Sequence, residues 1–153
     1  SIAIREELTD EWKNRGVKEQ IEYSILTAEI SRTTFGLTPS EYKKVKGLKS
    51  QNLRDHMNDL ELIFSMLGEA STTEIVKTQN PKGFIQNKKA AKQGGAVAGN
   101  ARRELESRTG KKVVSTNNYL PEAKKNKQLK KKVRRKISQN RIEAHFKFTQ
   151  VNV

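Results

Sequence analysis

Ile4, Leu8 and Trp12 recur every fourth residue ahead of Gly16, a spacing that predicts a first helix ending at the glycine. A second helix is predicted from about Glu19 to Thr33, with Ile21, Ile25, Ala28, Leu26 and Ile30 on one broad apolar face, and Gly36 stops it. Thr38-Pro39-Ser40-Glu41 then has the form of a helix start. The threonine can cap, proline suits the first turn, and Glu41 can close a capping box, while Gly47 keeps this third helix short. Leu60 to Leu67 is the most apolar stretch, and apolar residues on nearly every side predict a central, buried helix. Ser71-Thr72-Thr73-Glu74 reads as a second capping box, where a new helix or a kink would begin.

Beyond the turn at Asn80-Pro81-Lys82-Gly83, a long helical pattern runs from Phe84 to Arg108 and stops at Gly110. Phe84, Ala91, Ala98 and Leu105 fall seven apart, and Gly94, Gly95, Gly99 and Ala101 stand beside them. Glycine inside a helix costs about 1 kcal/mol relative to alanine. Ala91, Gly94, Gly95, Ala98, Gly99 and Ala101 therefore read as a seam where another helix approaches closely. Residues 111–123 read as an irregular connector, and Leu129, Val133 and Ile137 mark one face of a basic helix. From Ile142 to Phe148 apolar and polar residues alternate, which predicts a short terminal β-strand that must pair with Val113-Val114, another subunit or a partner. The sum is a mainly α fold. A compact domain of about five helices spans 1–110, and a connector and basic arm span 111–153.

Charge changes this picture more than composition does. The 153 residues hold 31 basic and 17 acidic side chains, a net +14. Residues 1–80 carry 11 basic and 13 acidic groups, whereas 81–153 carry 20 and 4, so the whole excess lies in the second half. Nine of the thirteen residues from Lys124 to Lys136 are basic and none is acidic. A phosphate backbone is the natural ligand for Lys124, Lys125, Lys127, Lys130, Lys131, Lys132, Arg134, Arg135 and Lys136, because neutralising it releases condensed counterions. No aromatic interleaves them, so contact would be with phosphates and without sequence preference. Lys43, Lys44, Lys46, Lys49 and Arg54 form a second cluster. Were the helix to break at Gly94-Gly95, Arg102 and Arg103 could hold a phosphate beside free amides.

Catalytic and metal signatures are weak. The chain has no cysteine, and His56 and His145 belong to no helix-spaced metal pair. His56 near Asp55 and Asp59 reads as a polar helix residue before a metal ligand. Glu41-Tyr42-Lys43 and Glu122-Ala123-Lys124 match a nuclease fragment without its upstream carboxylate. The expectation is no catalytic residue, no metal and no cofactor. No run of residues reaches the 18 apolar positions of a membrane span, and Ser1-Ile2-Ala3-Ile4-Arg5 lacks the charged and long apolar stretches of a secretion signal, so none is expected.

Several ordered motifs then resemble one family. Arg5-Glu6-Glu7-Leu8, Lys46-Gly47-Leu48-Lys49, Leu53-Arg54-Asp55-His56-Met57, Ala70-Ser71-Thr72-Thr73-Glu74, Gly94-Gly95 with Val97-Ala98-Gly99-Asn100-Ala101-Arg102, and Asn118-Tyr119-Leu120-Pro121 are similar to the C-terminal half of bacterial DNA-damage-inducible protein D. The resemblance implies that a Bro-type N-terminal domain usually precedes this region, and the expectation here is of the C-terminal half without it. The resemblance implies a bacterial, cytoplasmic protein of the damage (SOS) response, associated with control of RecA recombinase filaments on single-stranded DNA and with no accepted catalytic residue. The expected partners are DNA, single-stranded or bound without sequence preference, and a RecA-type recombinase, with no membrane. The competing reading is an antirepressor-like oligomerisation module, a homodimer paired through the small-residue seam and the terminal strand.

Overall fold

A computed structural model describes residues 2–118 and the helix Glu122–Val151, with side chains of the latter described from Leu129 to Gln150. Among these described residues six α-helices follow in chain order: α1 Ile2–Asn14, α2 Ile21–Phe35, α3 Pro39–Val45, α4 Asp59–Gln79, α5 Gly83–Thr109 and α6 Glu122–Val151. A 3-10 turn, Leu53–His56, precedes α4. No strand occurs among the described residues.

Local chemistry sets most of these boundaries. Thr38 accepts a hydrogen bond from the Glu41 amide and Pro39 opens α3, as its sequence predicts. Gly36 and Gly110 end α2 and α5 in the left-handed region, at φ 75° and 70°. The capping box that matters for α4 is Asn58 with Glu61, while Ser71–Glu74 starts nothing. The Thr72 and Thr73 hydroxyls instead donate back to the Gly68 and Glu69 carbonyls, at 2.7 and 3.2 Å, and α4 runs straight through.

The body is built around α4 and α5 packed against α2. Thr72 of α4 meets Gly94 of α5 and Gly68 meets Ala98, so the two helices run antiparallel. Thr33 of α2 lies against Gly95 and Gly99. A Cβ on Gly94 would stand 2.6 Å from the Thr72 backbone, and one on Gly95 would stand 2.7 Å from the Ile30 carbonyl oxygen. The small residues are therefore spent on close packing within one chain. That assignment overturns the subunit-pairing role of the seam. It also removes the phosphate loop, because α5 is unbroken across Gly94-Gly95 and its amides stay inside the helix.

Two apolar clusters form the core, one including Ala91 of the seam and the other packed by Ala101. Leu8, Trp12, Val17, Leu26, Ile30 and Ala91 form the first, and Phe35, Tyr42, Met57, Phe64 and Val113 form the second. Two expectations about faces need correcting. Leu26 and Ile30 enter the core, but Ile21 and Ile25 of the same helix are 76% and 40% exposed. Similarly α4 is central, yet Leu60 and Ile63 face outward.

The chain divides into two compact units, Ser1–Tyr119 and Leu120–Val153. Residues 111–118 of the connector therefore fall in the first unit, and the division lies later than residue 110. The second unit is α6, which continues through Ile142–Phe148 and replaces the expected strand. Two-residue alternation over so short a stretch also fits a helix, because Ala144 and Phe148 stand four apart, as do Ile142 and Phe146. The helix costs no unpaired backbone groups, whereas a lone strand would.

Candidate nucleic-acid interface

The structure sorts the basic residues into two populations. On α6, Lys130, Lys131, Lys132, Arg134, Arg135 and Lys136 are exposed along one continuous helix. Lys124, Lys125 and Lys127 belong to the same helix, but their side chains lie outside the described residues. Across Glu122–Val151 only Glu122 and Glu143 are acidic, so the block cannot neutralise itself within the helix. On the body, Lys44, Lys49 and Arg103 are exposed and Lys43 is half-buried.

Three other candidates are engaged in ion pairs. Lys46 is buried, and its ammonium donates to Glu61 Oε1 at 3.0 Å and to the Ser115 and Asn117 carbonyls at 2.9 and 2.7 Å. Glu61 also accepts from the Tyr42 hydroxyl and, at 3.1 Å, from the Asn58 amide. Neither Lys46 nor Glu61 exposes any side chain. Burial, followed by the Glu61 hydrogen bond and charge, pushes the Tyr42 phenol well above its ordinary range. Lys46 thus ties α3 and α4 to the connector and is withdrawn from phosphate contact.

Arg54 pairs with the buried Glu69, which Arg5 also reaches at 3.2 Å while donating to Thr27 at 2.7 Å. Desolvation lowers both guanidinium pKa values, and at Arg54 the nearby Arg5 charge adds to the effect. Arg102 donates to the Thr34 carbonyl and to Glu106, each at 2.6 Å, and Glu106 accepts from the Val113 amide at 2.8 Å. Here the cation sits at the carbonyl end of α2, where the helix dipole favours it.

One basic group escaped the sequence argument. Lys88, Lys89 and Lys92 are exposed on α5, on the same side as Arg103. The signal was legible, because no acidic residue occurs between Ile75 and Arg103.

The alternative chemistries gain little from the geometry. The His56 Nδ1 is paired with the Asn118 side-chain oxygen, and among the described residues no three His, Cys, Asp or Glu side chains cluster as metal ligands. Glu41 lies in the first turn of α3, where its carboxylate accepts from the Thr38 hydroxyl at 3.0 Å and not from the Thr38 amide, so the expected capping box is half formed; the Glu122-Ala123-Lys124 side chains lie outside the described residues. A cleft of about 410 Å³ lies between the end of α1 and the α4–α5 turn. Its Arg15 already bonds Glu11 and Asn80. No helix among the described residues is long and apolar enough to cross a membrane.

A family profile described as the DinD C-terminal domain matches residues 2–127. The match covers the helical body and reaches into the first basic residues of α6, further than the motifs of the sequence alone. No curated protein and no solved structure matches the chain.

Proposed function

This chain belongs to the DinD C-terminal domain family, and from that premise we propose that it is a non-enzymatic regulator of the DNA-damage response that grips DNA phosphates and acts on RecA-type recombinase filaments. The observation that supports phosphate contact is the exposed block Lys130 to Lys136 on an unbroken helix with no acidic residue between them. A rigid helical display fixes the spacing of charges that a disordered arm would have to order on binding. Lys44, Lys49, Lys88, Lys89, Lys92 and Arg103 offer further cations on the body. The apolar residues it exposes, Ile21 and Ile25 on α2 and Leu60 and Ile63 on α4, suit contact with protein.

A gel-shift series with single- and double-stranded DNA, with and without recombinase, at low and moderate salt tests this reading. The expected outcome is DNA binding that weakens as salt rises and a further shift or loss of filament when both proteins are present. Absence of binding to either strand form at low salt would reject it.

A further inference from the structure

We propose that α6 is also a self-association helix that pairs antiparallel with α6 of a second copy of this chain, with Asn140 at the crossing point. The inference goes beyond the phosphate reading, because phosphate contact gives no reason for an apolar stripe on the same helix. Leu129, Val133 and Ile137 are 62%, 49% and 47% exposed. They continue through Asn140 and Ala144 to Phe148 in steps of four, four, three, four and four, an eleven-residue repeat. Such a repeat keeps one stripe facing a partner helix over its whole length, with a right-handed supercoil.

Three observations choose the partner and its direction. First, charge along the helix is polarised. Nine basic groups occupy Lys124–Lys136, while Ile137–Val151 holds two basic groups and one acidic group. Parallel pairing would set one nine-charge block beside the other. Antiparallel pairing about Asn140 sets each block beside the nearly neutral end of its partner. Second, the stripe carries its single polar residue at that point: with Asn140 set against Asn140, Ile137 of one chain lies one residue from Ala144 of the other, large beside small. A single polar residue in an apolar seam is a register device, because its amide finds a partner in only one alignment. Third, Lys136 of one chain falls within reach of Glu143 of the other, and the reverse pair follows by symmetry. The two basic blocks project from opposite ends of the pair and stay open to phosphate.

Sedimentation of the full chain without DNA tests pairing separately from nucleic-acid binding. The expected result is a monomer–dimer equilibrium in the micromolar range, with Ile137→Gln raising the dissociation constant at least about tenfold. Because the chain lacks cysteine, direction can be read by cross-linking. Chains with Ile137→Cys and chains with Ala144→Cys, mixed and oxidised, should form the mixed disulfide, while each alone should not. Asn140→Leu should keep association but let like-with-like disulfides appear. A chain that stays monomeric, or Ile137→Cys cross-linking to itself in the native background, would overturn the proposal. Circular dichroism of each variant separates loss of pairing from loss of helix, and a monomeric variant that still binds DNA leaves the phosphate reading standing.

Discussion

Replacing Lys46 by methionine examines the point where structure departs most from sequence. The substitution keeps the length of the stem but removes an ammonium whose three donors go to Glu61, Ser115 and Asn117. Glu61 remains with no exposed side-chain surface and no cation. Removing one partner of a buried ion pair costs about 3–5 kcal/mol, because the other charge stays desolvated. The two connector carbonyls lose their donor as well, which places the expected loss toward the upper end. Against a total stability of about 5–15 kcal/mol, this is a large fraction. At about 2–4 °C per kcal/mol for a chain of this size, the melting temperature should fall by about 6–20 °C. Urea denaturation followed by circular dichroism measures the free energy directly. Adding Glu61→Gln should recover at least about 2 kcal/mol, since it removes the stranded charge but keeps an oxygen for Tyr42 and Asn58. Below the melting range, Lys46→Met should leave the salt dependence of DNA binding unchanged, whereas loss of a phosphate contact would take about 0.7–0.9 off its slope. A cost under about 1 kcal/mol, a double variant worse than the single one, or a shallower slope would refute the reasoning.

Other outcomes follow from the same packing and charge. Gly99→Ala should destabilise by about 1–3 kcal/mol or more, despite alanine's helix preference, because the new methyl would press on the Thr33 carbonyl oxygen; thermal melts would show it, and unchanged stability would deny the close approach. Tyr42 has a folded pKa raised above its unfolded value near 10, so its stabilisation is present below about pH 10 and is lost as pH rises toward the folded value. Tyr42→Phe should therefore flatten the alkaline fall of stability, and denaturation midpoints compared between pH 8 and 11 would detect this. Neutralising Lys88, Lys89 and Lys92 together with glutamine should weaken DNA binding at low salt without shifting the melting temperature; unchanged affinity would remove α5 from the interface.

What could be read from the sequence was what local rules decide. The cap at Thr38, the stops at Gly36 and Gly110 and the small-residue seam of α5 were all visible, because each depends on a few neighbouring residues. Tertiary choices were not visible. Thr72 and Thr73 have the form of a helix start, but their hydroxyls bond back into α4 and Thr72 packs on Gly94. Lys46 and Arg54 looked like free cations because their acids, Glu61 and Glu69, lie 15 residues away in each case. For Arg102 the acid, Glu106, stands four residues on and was visible, but its carbonyl partner, Thr34, is 68 residues away. The candidate interface was legible as charge, but the division into displayed and paired charge required the fold. The terminal strand failed because the same residues satisfy two periodicities, and the helix wins by closing its own hydrogen bonds.

The proposed reading has α6 holding DNA through phosphate contacts. Its most direct test is the slope of log affinity against log salt, between about 50 and 200 mM, for the native chain and for a variant with Lys130, Lys131, Lys132, Arg134, Arg135 and Lys136 replaced by glutamine. Each phosphate neutralised contributes about 0.7 to the slope on single strands and about 0.9 on duplex. If most of the block engages, the native slope should be steeper than about −3 and the variant shallower by at least about 2. A flat native slope, or a variant that keeps the native one, would show that α6 does not grip phosphates.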